Sequence, residues 1–488
     1  MSELHLSPEN ADVESVPLIV DLDGTLIFTD MLHESAVSVV KNNPLRIFAV
    51  LFYLLQGKAV LKAYLAKFFD FSVEALPYNQ PLIEWLKKQQ LLGRKLILCT
   101  ATDEHIAKRI AEHVGFFDEV IASNGMRNLA GKNKEQVLVE TFGVRGFDYA
   151  GNSTADLKVW KSARKAIVVN ASDRLLQQAA KNNNIAEQFP SVKKTPVIWL
   201  KTVRVHQWLK NLLLFVPVLA AHQLAEQHIW LTLLFAFMAF SLTASSVYIL
   251  NDIMDLESDR LHPRKCRRPF ASGKIEIWKG VLLAPLLLVV GMAAGVYVGM
   301  HFLGWLIVYF AITCAYSWGL KKLPLIDCIT LTILYTLRVI AGGAAVGISL
   351  SFWLLAFSVF LFLSLAFVKR YAELEVQILN GKNVVHGRGY LTSDASLIQT
   401  LGVTSGYASV LVLALYLNSD AVLRLYSFPE AVWGAVVVML FWVSWVWMQA
   451  HRGLMHDDPL VFAVKDKVSL FAGFVFALVL MIGTVGMP

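Results

Sequence analysis

Two kinds of apolar pattern divide this chain. Up to about Val192, apolar residues come in short runs, Pro17–Val20, Lys95–Thr100 and Ala166–Ala171, with helical periodicity between them. Short buried runs alternating with amphipathic stretches predict the strands and helices of a doubly wound α/β sheet. From Pro196 onward the apolar runs lengthen. About nine segments, centred near Leu214, Ala239, Leu287, Val308, Ile333, Val359, Val410, Val438 and Val475, are long enough to span a bilayer. The expected architecture is an α/β domain over residues 1–192, a linker over 193–200, and an all-α polytopic membrane domain over 201–488 with about nine transmembrane helices. Residues 31–80 read as a helical insertion. Within it Leu45–Leu55 is strongly apolar yet too short to cross a bilayer. It suits a cap helix over the α/β cleft, or a helix docked on the membrane or on the second domain.

Composition agrees: 56% of residues are hydrophobic and 17% charged, too apolar for a soluble chain of 488 residues. The formal charge of +7 fits loops facing an anionic leaflet. No basic segment carries interleaved aromatic residues, which argues against nucleic acid as a partner. The cysteines Cys99, Cys266, Cys314 and Cys328 share no ligand spacing and read as reduced and isolated. Met1–Pro17 is polar and acidic, unlike a signal peptide, so the α/β domain is expected in the cytoplasm. Lys and Arg gather in alternate loops, near 251–280, 319–325, 369–397 and 451–467, with Arg424 standing apart. One membrane orientation predicts that alternation, with the basic loops on the cytoplasmic side.

Chemistry concentrates where the second long run ends, at NDIMDLESDRLHPRKCRRP, Asn251–Pro269. Asn251, Asp252, Asp255 and Asp259 lie three and four apart, which places them on one helix face. An acid at full membrane depth costs about 2.5–3.5 kcal/mol, less near the interface, so such a cluster calls for a reason. Hard oxygen ligands with room for substrate oxygens suit Mg²⁺ bridged to a phosphate. Arg264, Lys265, Arg267 and Arg268 follow at once and can grip phosphate oxygens. At the same edge Arg204, Lys210 and Asn211 recur at helical spacing. They can bind an anionic headgroup, or Lys210 can simply anchor at the interface. Arg338 lies inside the fifth span, where a guanidinium is a functional candidate by default. Lys369 and Arg370 close the sixth span; they can contact phosphate, or Arg370 can pair with Glu373. Asp458 and Asp466 read equally as ligands or as a polar loop.

The α/β half carries its own constellation. The first apolar run leads into Asp21-Leu-Asp23-Gly24-Thr25, the second into Thr100 with Thr102 as a rival, and Lys134, with Lys132 as a substitute, precedes Leu138. DxDGT at a strand end resembles the first motif of haloacid-dehalogenase-like (HAD) phosphohydrolases. That resemblance implies Asp21 as nucleophile toward phosphorus, Asp23 as proton shuttle, Thr100 on the phosphate and Lys134 as its counter-charge. Gly151-Asn152-Ser-Thr-Ala-Asp156 departs from the family's fourth motif, because an amide stands where the first acid is usual. The implied Mg²⁺ ligands, Asp21, Asp23, Asn152 and Asp156, therefore bring less charge than usual.

NDxxDxxxD followed by RP resembles the first signature of the UbiA-type membrane prenyltransferase superfamily. RxxQWxKN from Arg204 and the HAD-like fusion resemble its polyprenyl-phosphate phosphoribosyltransferase branch. Tyr316-Ser-Trp-Gly-Leu-Lys321-Lys322 and Asp327 resemble the second signature, but Leu331 stands where a further acid is usual. The resemblance implies Mg²⁺-dependent transfer of 5-phosphoribosyl from phosphoribosyl pyrophosphate to a polyprenyl phosphate, at the inner face of a bacterial cytoplasmic membrane. The HAD-like domain would then remove the product's 5-phosphate, in a path toward arabinofuranose-type lipid donors of the cell envelope. Prenyl transfer from a polyprenyl diphosphate to an aromatic acceptor is the alternative, with the HAD-like domain structural or acting on another phosphate ester.

Overall fold

A computed structural model describes residues 16–124, 128–182, 184–191, 195–223, 226–381, 388–419, 426–455 and 458–485. Arg424 and Asp457 lie outside the described residues, as does most of the acidic N-terminal stretch. The chain forms two compact units: Met1–Val203 together with Ile249–Leu283, and Arg204–Tyr248 together with Ala284–Pro488. The signature segment thus belongs to the same unit as the α/β domain.

In the first unit β1 (Leu18–Val20) is followed by three inserted helices, α1 (Met31–Asn42), α2 (Arg46–Gln56) and α3 (Lys58–Ala66). Then come α4 (Gln80–Leu91), β2 (Leu96–Asp103), α5 (Glu104–Val114), β3 (Glu119–Ser123), α6 (Lys132–Phe142) and β4 (Asp148–Gly151). Next are α7 (Asp156–Ser162), β5 (Lys165–Val169), α8 (Asp173–Asn182), β6 (Asn184–Phe189) and α9 (Pro196–Thr202). The sheet is parallel, in the order β3-β2-β1-β4-β5-β6. Strand alternation explains its two layers. Leu18, Val20, Leu96, Leu98 and Ile167 pack with Leu82, Leu86, Ile106 and Ile110. Ile19, Ile97, Tyr149, Ala166 and Val168 pack with Leu138, Trp160 and Leu175 on the other face. The run Ala166–Ala171 supplies β5, but the sheet does not end there. β6 lies beyond it as an edge strand whose polar, largely exposed sequence, NIAEQF, carries no apolar run. The expected linker is partly helical, since α9 occupies Pro196–Thr202. The insertion closes on a small core of Val39, Val50, Leu61 and Leu65.

The remaining helices are α10 (Val216–Ala220), α11 (Gln227–Met254), α12 (Leu256–Leu261), α13 (Ile277–Val298) and α14 (Met300–Trp318). They continue as α15 (Ile326–Val346), α16 (Phe352–Leu379), α17 (Ala395–Leu417), α18 (Pro429–His451), α19 (Pro459–Lys465) and α20 (Lys467–Val485). Among the described residues eight helices are long and apolar enough to cross a membrane, and the chain is a polytopic membrane protein. The first of the nine expected spans takes another form. Val205–Phe215 winds as a 3₁₀ helix and α10 continues it, too short together to count as a span. This piece packs directly on α15: a Cβ on Gly342 would fall 2.1 Å from the Leu214 carbonyl oxygen. α11 and α15 are the most enclosed helices, whereas α13 and α20 are largely uncovered, as suits lipid contact.

Candidate active site

At the carboxyl ends of β1, β2 and β4, where strand order reverses, the doubly wound sheet leaves its crevice. Asp21 and Asp23 stand there. The Lys134 ammonium donates to Asp21 Oδ1 at 2.6 Å and to the Tyr149 hydroxyl at 3.0 Å. Asp23 accepts from the Met31 amide at 2.9 Å and from the Thr102 hydroxyl at 2.7 Å. Thr100 is fully buried, and its hydroxyl oxygen accepts the Thr102 amide at 3.0 Å. The two threonines therefore act together, with Thr102 the one that touches an acid. Gly24 has φ +76°, and a Cβ there would fall 2.0 Å from Asn152 Nδ2, so the turn requires glycine and brings Asn152 over it.

Asp156 is held by its own loop, close enough that its charge acts on Asp21. Its Oδ2 accepts from the Asn152 and Ser153 amides and the Ser153 hydroxyl, and its Oδ1 accepts from Tyr149. Asp156 shapes the loop that carries Asn152. Burial pushes the Asp21 carboxyl up to about 6, with the Lys134 ammonium opposing. Burial, then Asp30 and Asp21, push Asp23 up to about 7, a range suited to moving a proton near neutrality. Burial opposes charge on Lys134, yet Asp21 beside it holds the ammonium above its ordinary range.

The sequence reading missed Lys62 and Asn170. Lys62 lies on α3, and its ammonium donates to the Ala101 carbonyl at 2.6 Å, next to Thr100. Burial pulls it below the usual lysine range, against Asp23 and Asp30. Asn170, in left-handed backbone at φ +50°, donates to the Gly24 carbonyl at 2.8 Å. No motif marks Lys62, because the insertion folds it back over the cleft from a distance in sequence.

In the signature segment the helix is interrupted at Asp255, yet the Asp255 amide still bonds the Asn251 carbonyl at 2.9 Å and the Asp259 amide bonds Asp255 at 2.8 Å. Helical spacing therefore carries across the break. Asp252 and Asp259, both 2% exposed, converge on one guanidinium: Arg268 Nη1 lies 3.0 Å from Asp252 and 2.5 Å from Asp259. Burial raises the Asp259 carboxyl against Arg268's opposing charge. Asn251 and Asp255 are half-buried, while Arg264, Lys265 and Arg267 are exposed. Arg260 turns the other way. It pairs with Glu34 of α1 at 2.5 Å and 3.3 Å and bonds the Ala271 carbonyl at 3.0 Å.

The second unit has two polar clusters. In one, Asp458 accepts from Lys210 at 2.7 Å, Lys369 at 3.3 Å and the Tyr335 hydroxyl at 3.0 Å. Arg338 donates to Asn211 Oδ1 at 2.9 Å and to the Tyr309 hydroxyl at 3.0 Å, and Asn211 donates to Ser241 at 2.9 Å. Lys210 and Lys369 share this carboxylate and Arg338 adds a third positive charge, so the group carries surplus positive charge. Asp458, for which the sequence offers ligand and polar loop equally, is its hub. In the other cluster Asp327 has no exposed surface. Arg370 lies at 2.8 Å, the Tyr390 hydroxyl donates at 2.5 Å, and Arg388 bridges to Tyr316 at 3.2 Å. Arg370 also pairs with Glu373, the local pairing weighed from the sequence. Arg204, at φ +55°, lies over the Tyr248 ring at 5.1 Å, and Lys321 and Lys322 lie in a 3₁₀ turn.

Among the described residues no three His, Cys, Asp or Glu side chains converge on a metal position. Magnesium rarely needs such a cage, since one or two carboxylates plus substrate phosphates usually hold it. Asp252 with Asp259, already closed around a cation, fit that pattern. So do Asp21 and Asp23 with the Asn152 amide.

The profile of the UbiA prenyltransferase family matches residues 212–465. An uncharacterized protein of Sinorhizobium fredii is 37% identical over 95% of this chain and 90% of its own length. The decaprenyl-phosphate phosphoribosyltransferase of Mycolicibacterium smegmatis is 32% identical, over 55% of this chain and 86% of its own. Among solved structures, a UbiA homolog from Archaeoglobus fulgidus bound to GPP and Mg²⁺ is 15% identical. It covers 58% of this chain and 99% of that one, with TM-score 0.43.

Proposed function

The chain belongs to the UbiA prenyltransferase family, and on that premise we propose that its membrane unit transfers 5-phosphoribosyl from phosphoribosyl pyrophosphate to a polyprenyl phosphate. The observation that carries this reading is the 32% identity to the decaprenyl-phosphate phosphoribosyltransferase of Mycolicibacterium smegmatis, along most of that protein. The chain is an enzyme with a transferase half, and the DxDGT motif of its N-terminal half resembles that of HAD phosphohydrolases. Alternate basic loops support a cytoplasmic position for the acids and the α/β domain in a bacterial inner membrane.

In the transferase step a lipid phosphate oxygen attacks ribose C1 as the bond from C1 to the pyrophosphate oxygen breaks. The acceptor is already anionic, so no general base is needed; catalysis rests on alignment and charge. Asp252 and Asp259 would hold Mg²⁺, which when bound neutralises the leaving oxygens. Arg268 is placed to shift from these acids to the pyrophosphate, and Arg264, Lys265 and Arg267 stand exposed beside it. Asp327 positions the second signature through Arg370 and Tyr390.

In the phosphatase step Asp21 attacks phosphorus, the ester oxygen leaves, and Asp23 supplies its proton. Water then attacks the acyl phosphate, Asp23 takes back a proton, and inorganic phosphate departs. Asp21, Asp23 and Asn152 would hold the Mg²⁺ of this half, and Lys134 and Lys62 balance the phosphate charge.

The test uses the purified chain in nanodiscs with Mg²⁺, polyprenyl phosphate and labelled phosphoribosyl pyrophosphate, or labelled prenyl diphosphate with an aromatic acceptor. Ribose label in lipid, with both pyrophosphate and phosphate released, supports the reading. Asp21→Asn should stop the phosphate and leave the pyrophosphate. Consumption of the prenyl diphosphate alone would overturn the donor assignment.

A further inference from the structure

The helical hairpin α2–α3 has an unpartnered face. Val50 and Tyr53 turn inward to Leu61, Leu65 and Tyr64. Outward, Leu45 is 75% exposed, Phe48 71%, Phe52 57% and Leu55 89%, joined by Leu51 and Leu54. A contiguous array of large apolar side chains is far from the scattered exposure of ordinary surfaces. Along the hairpin itself the charge has one sign, with Asp70 the first acid after it. From Lys41 to Phe69 the sequence holds Lys41, Arg46, Lys58, Lys62 and Lys67 and no acid. Lys41, Lys58 and Lys67 are exposed, and Arg46 covers the Phe68 ring at 4.0 Å.

We propose that the α2–α3 hairpin is a lipid-contact surface that seats its Phe48–Leu55 face in the headgroup layer of an anionic bilayer. Apolar anchors flanked only by cations are the features that bind an amphipathic helix to such a surface. A protein partner would meet the same face with acids; a bilayer supplies both the acyl boundary and the negative charge. The chain is a polytopic membrane protein, and the proposal does not depend on the donor's identity. One consequence concerns substrate. α3 carries Lys62 to the Ala101 carbonyl between Thr100 and Thr102, so the proposed lipid-contact element also reaches the cleft of Asp21 and Asp23. Resting on the proposed phosphatase reading of this half, a phosphate ester carried on a bilayer lipid is the class of substrate this hairpin admits.

The test places an environment-sensitive fluorophore at Leu55→Cys in the full chain, with Cys266→Ser and Cys314→Ser leaving the buried Cys99 and Cys328. A label at the exposed Lys181→Cys on α8 serves as control. Nanodiscs contain phosphatidylcholine alone or with phosphatidylglycerol, each with and without brominated acyl chains. The expected result is blue-shifted, bromine-quenched emission at position 55, strongest with phosphatidylglycerol, and aqueous emission at position 181. Each of Lys41, Lys58 and Lys67 changed to Gln should lower the inserted-to-free ratio by about fivefold. Aqueous, unquenched emission at position 55 in both lipids would overturn the proposal. So would protection that appears in detergent and rises with protein concentration, which would assign the face to a second copy.

Discussion

Glu34→Ala tests whether the α/β domain holds the transferase signature in place. Glu34 and Arg260 are 8% and 7% exposed at their side chains and meet at 2.5 Å, with the Thr29 hydroxyl donating to the same carboxylate at 2.6 Å. Removing the acid leaves an enclosed guanidinium that still donates to the Ala271 carbonyl. Breaking one side of a buried pair costs about 3–5 kcal/mol. Glu34→Gln keeps a hydrogen-bond acceptor and should cost less, about 1–3 kcal/mol. Arg260→Met removes the stranded charge, so the double variant should recover part of the single loss. Arg260 adjoins Asp259 and ties down the turn that carries Arg268, so the damage should spread to pyrophosphate release. The assay pairs thermal melting in detergent with kcat/KM for phosphoribosyl pyrophosphate. Wild-type melting and unchanged kcat/KM in Glu34→Ala would refute the coupling. Losses that simply add in the double variant would refute the pairing itself.

Asp252→Ala and Asp259→Ala should each lower pyrophosphate release by about 10²–10³-fold while leaving hydrolysis of a soluble phosphate ester intact, since each removes an electrostatic stabiliser of the leaving group. Asp23 binds its proton more tightly folded than unfolded, being pushed up to about 7. Its charge therefore costs stability as pH rises from about 4 through 7. In metal-free buffer Asp23→Asn should melt higher than wild type at pH 8, by about 2–4 kcal/mol, with the gain fading toward pH 5. Asn152→Asp restores a charged ligand beside Gly24, so phosphate release should saturate at lower Mg²⁺; an unchanged Mg²⁺ dependence would remove Asn152 from the metal site.

Much of the fold is legible in the sequence because burial on both faces leaves apolar runs. β1, β2 and β5 show this, and so do the eight long helices. β6 escapes because an edge strand needs no apolar run, and the opening segment near Leu214 misleads because its hydropathy says nothing of its 3₁₀ winding. The site splits the same way. Asp21, Asp23, Asp252 and Asp259 stand in local motifs whose spacing survives folding. Lys62, Tyr149, Tyr335 and Asp458 join their partners across long stretches of sequence, and no local pattern encodes that. Asp327 shows the reverse case. A motif acid singled out for substrate is enclosed by Arg370 and Tyr390, as a buried charge with no exposed surface must be.

The guanidinium of Arg268 sits between Asp252 and Asp259 as a counterion, and on the proposed reading it would set an order of events. A bare divalent ion must evict it without offering it a new partner. An ion arriving already chelated by pyrophosphate would offer Arg268 anionic oxygens in exchange for the carboxylates, so the exchange would keep every charge matched. Initial rates should then track the concentration of the magnesium–donor chelate, and preloading the enzyme with salt alone should confer no head start.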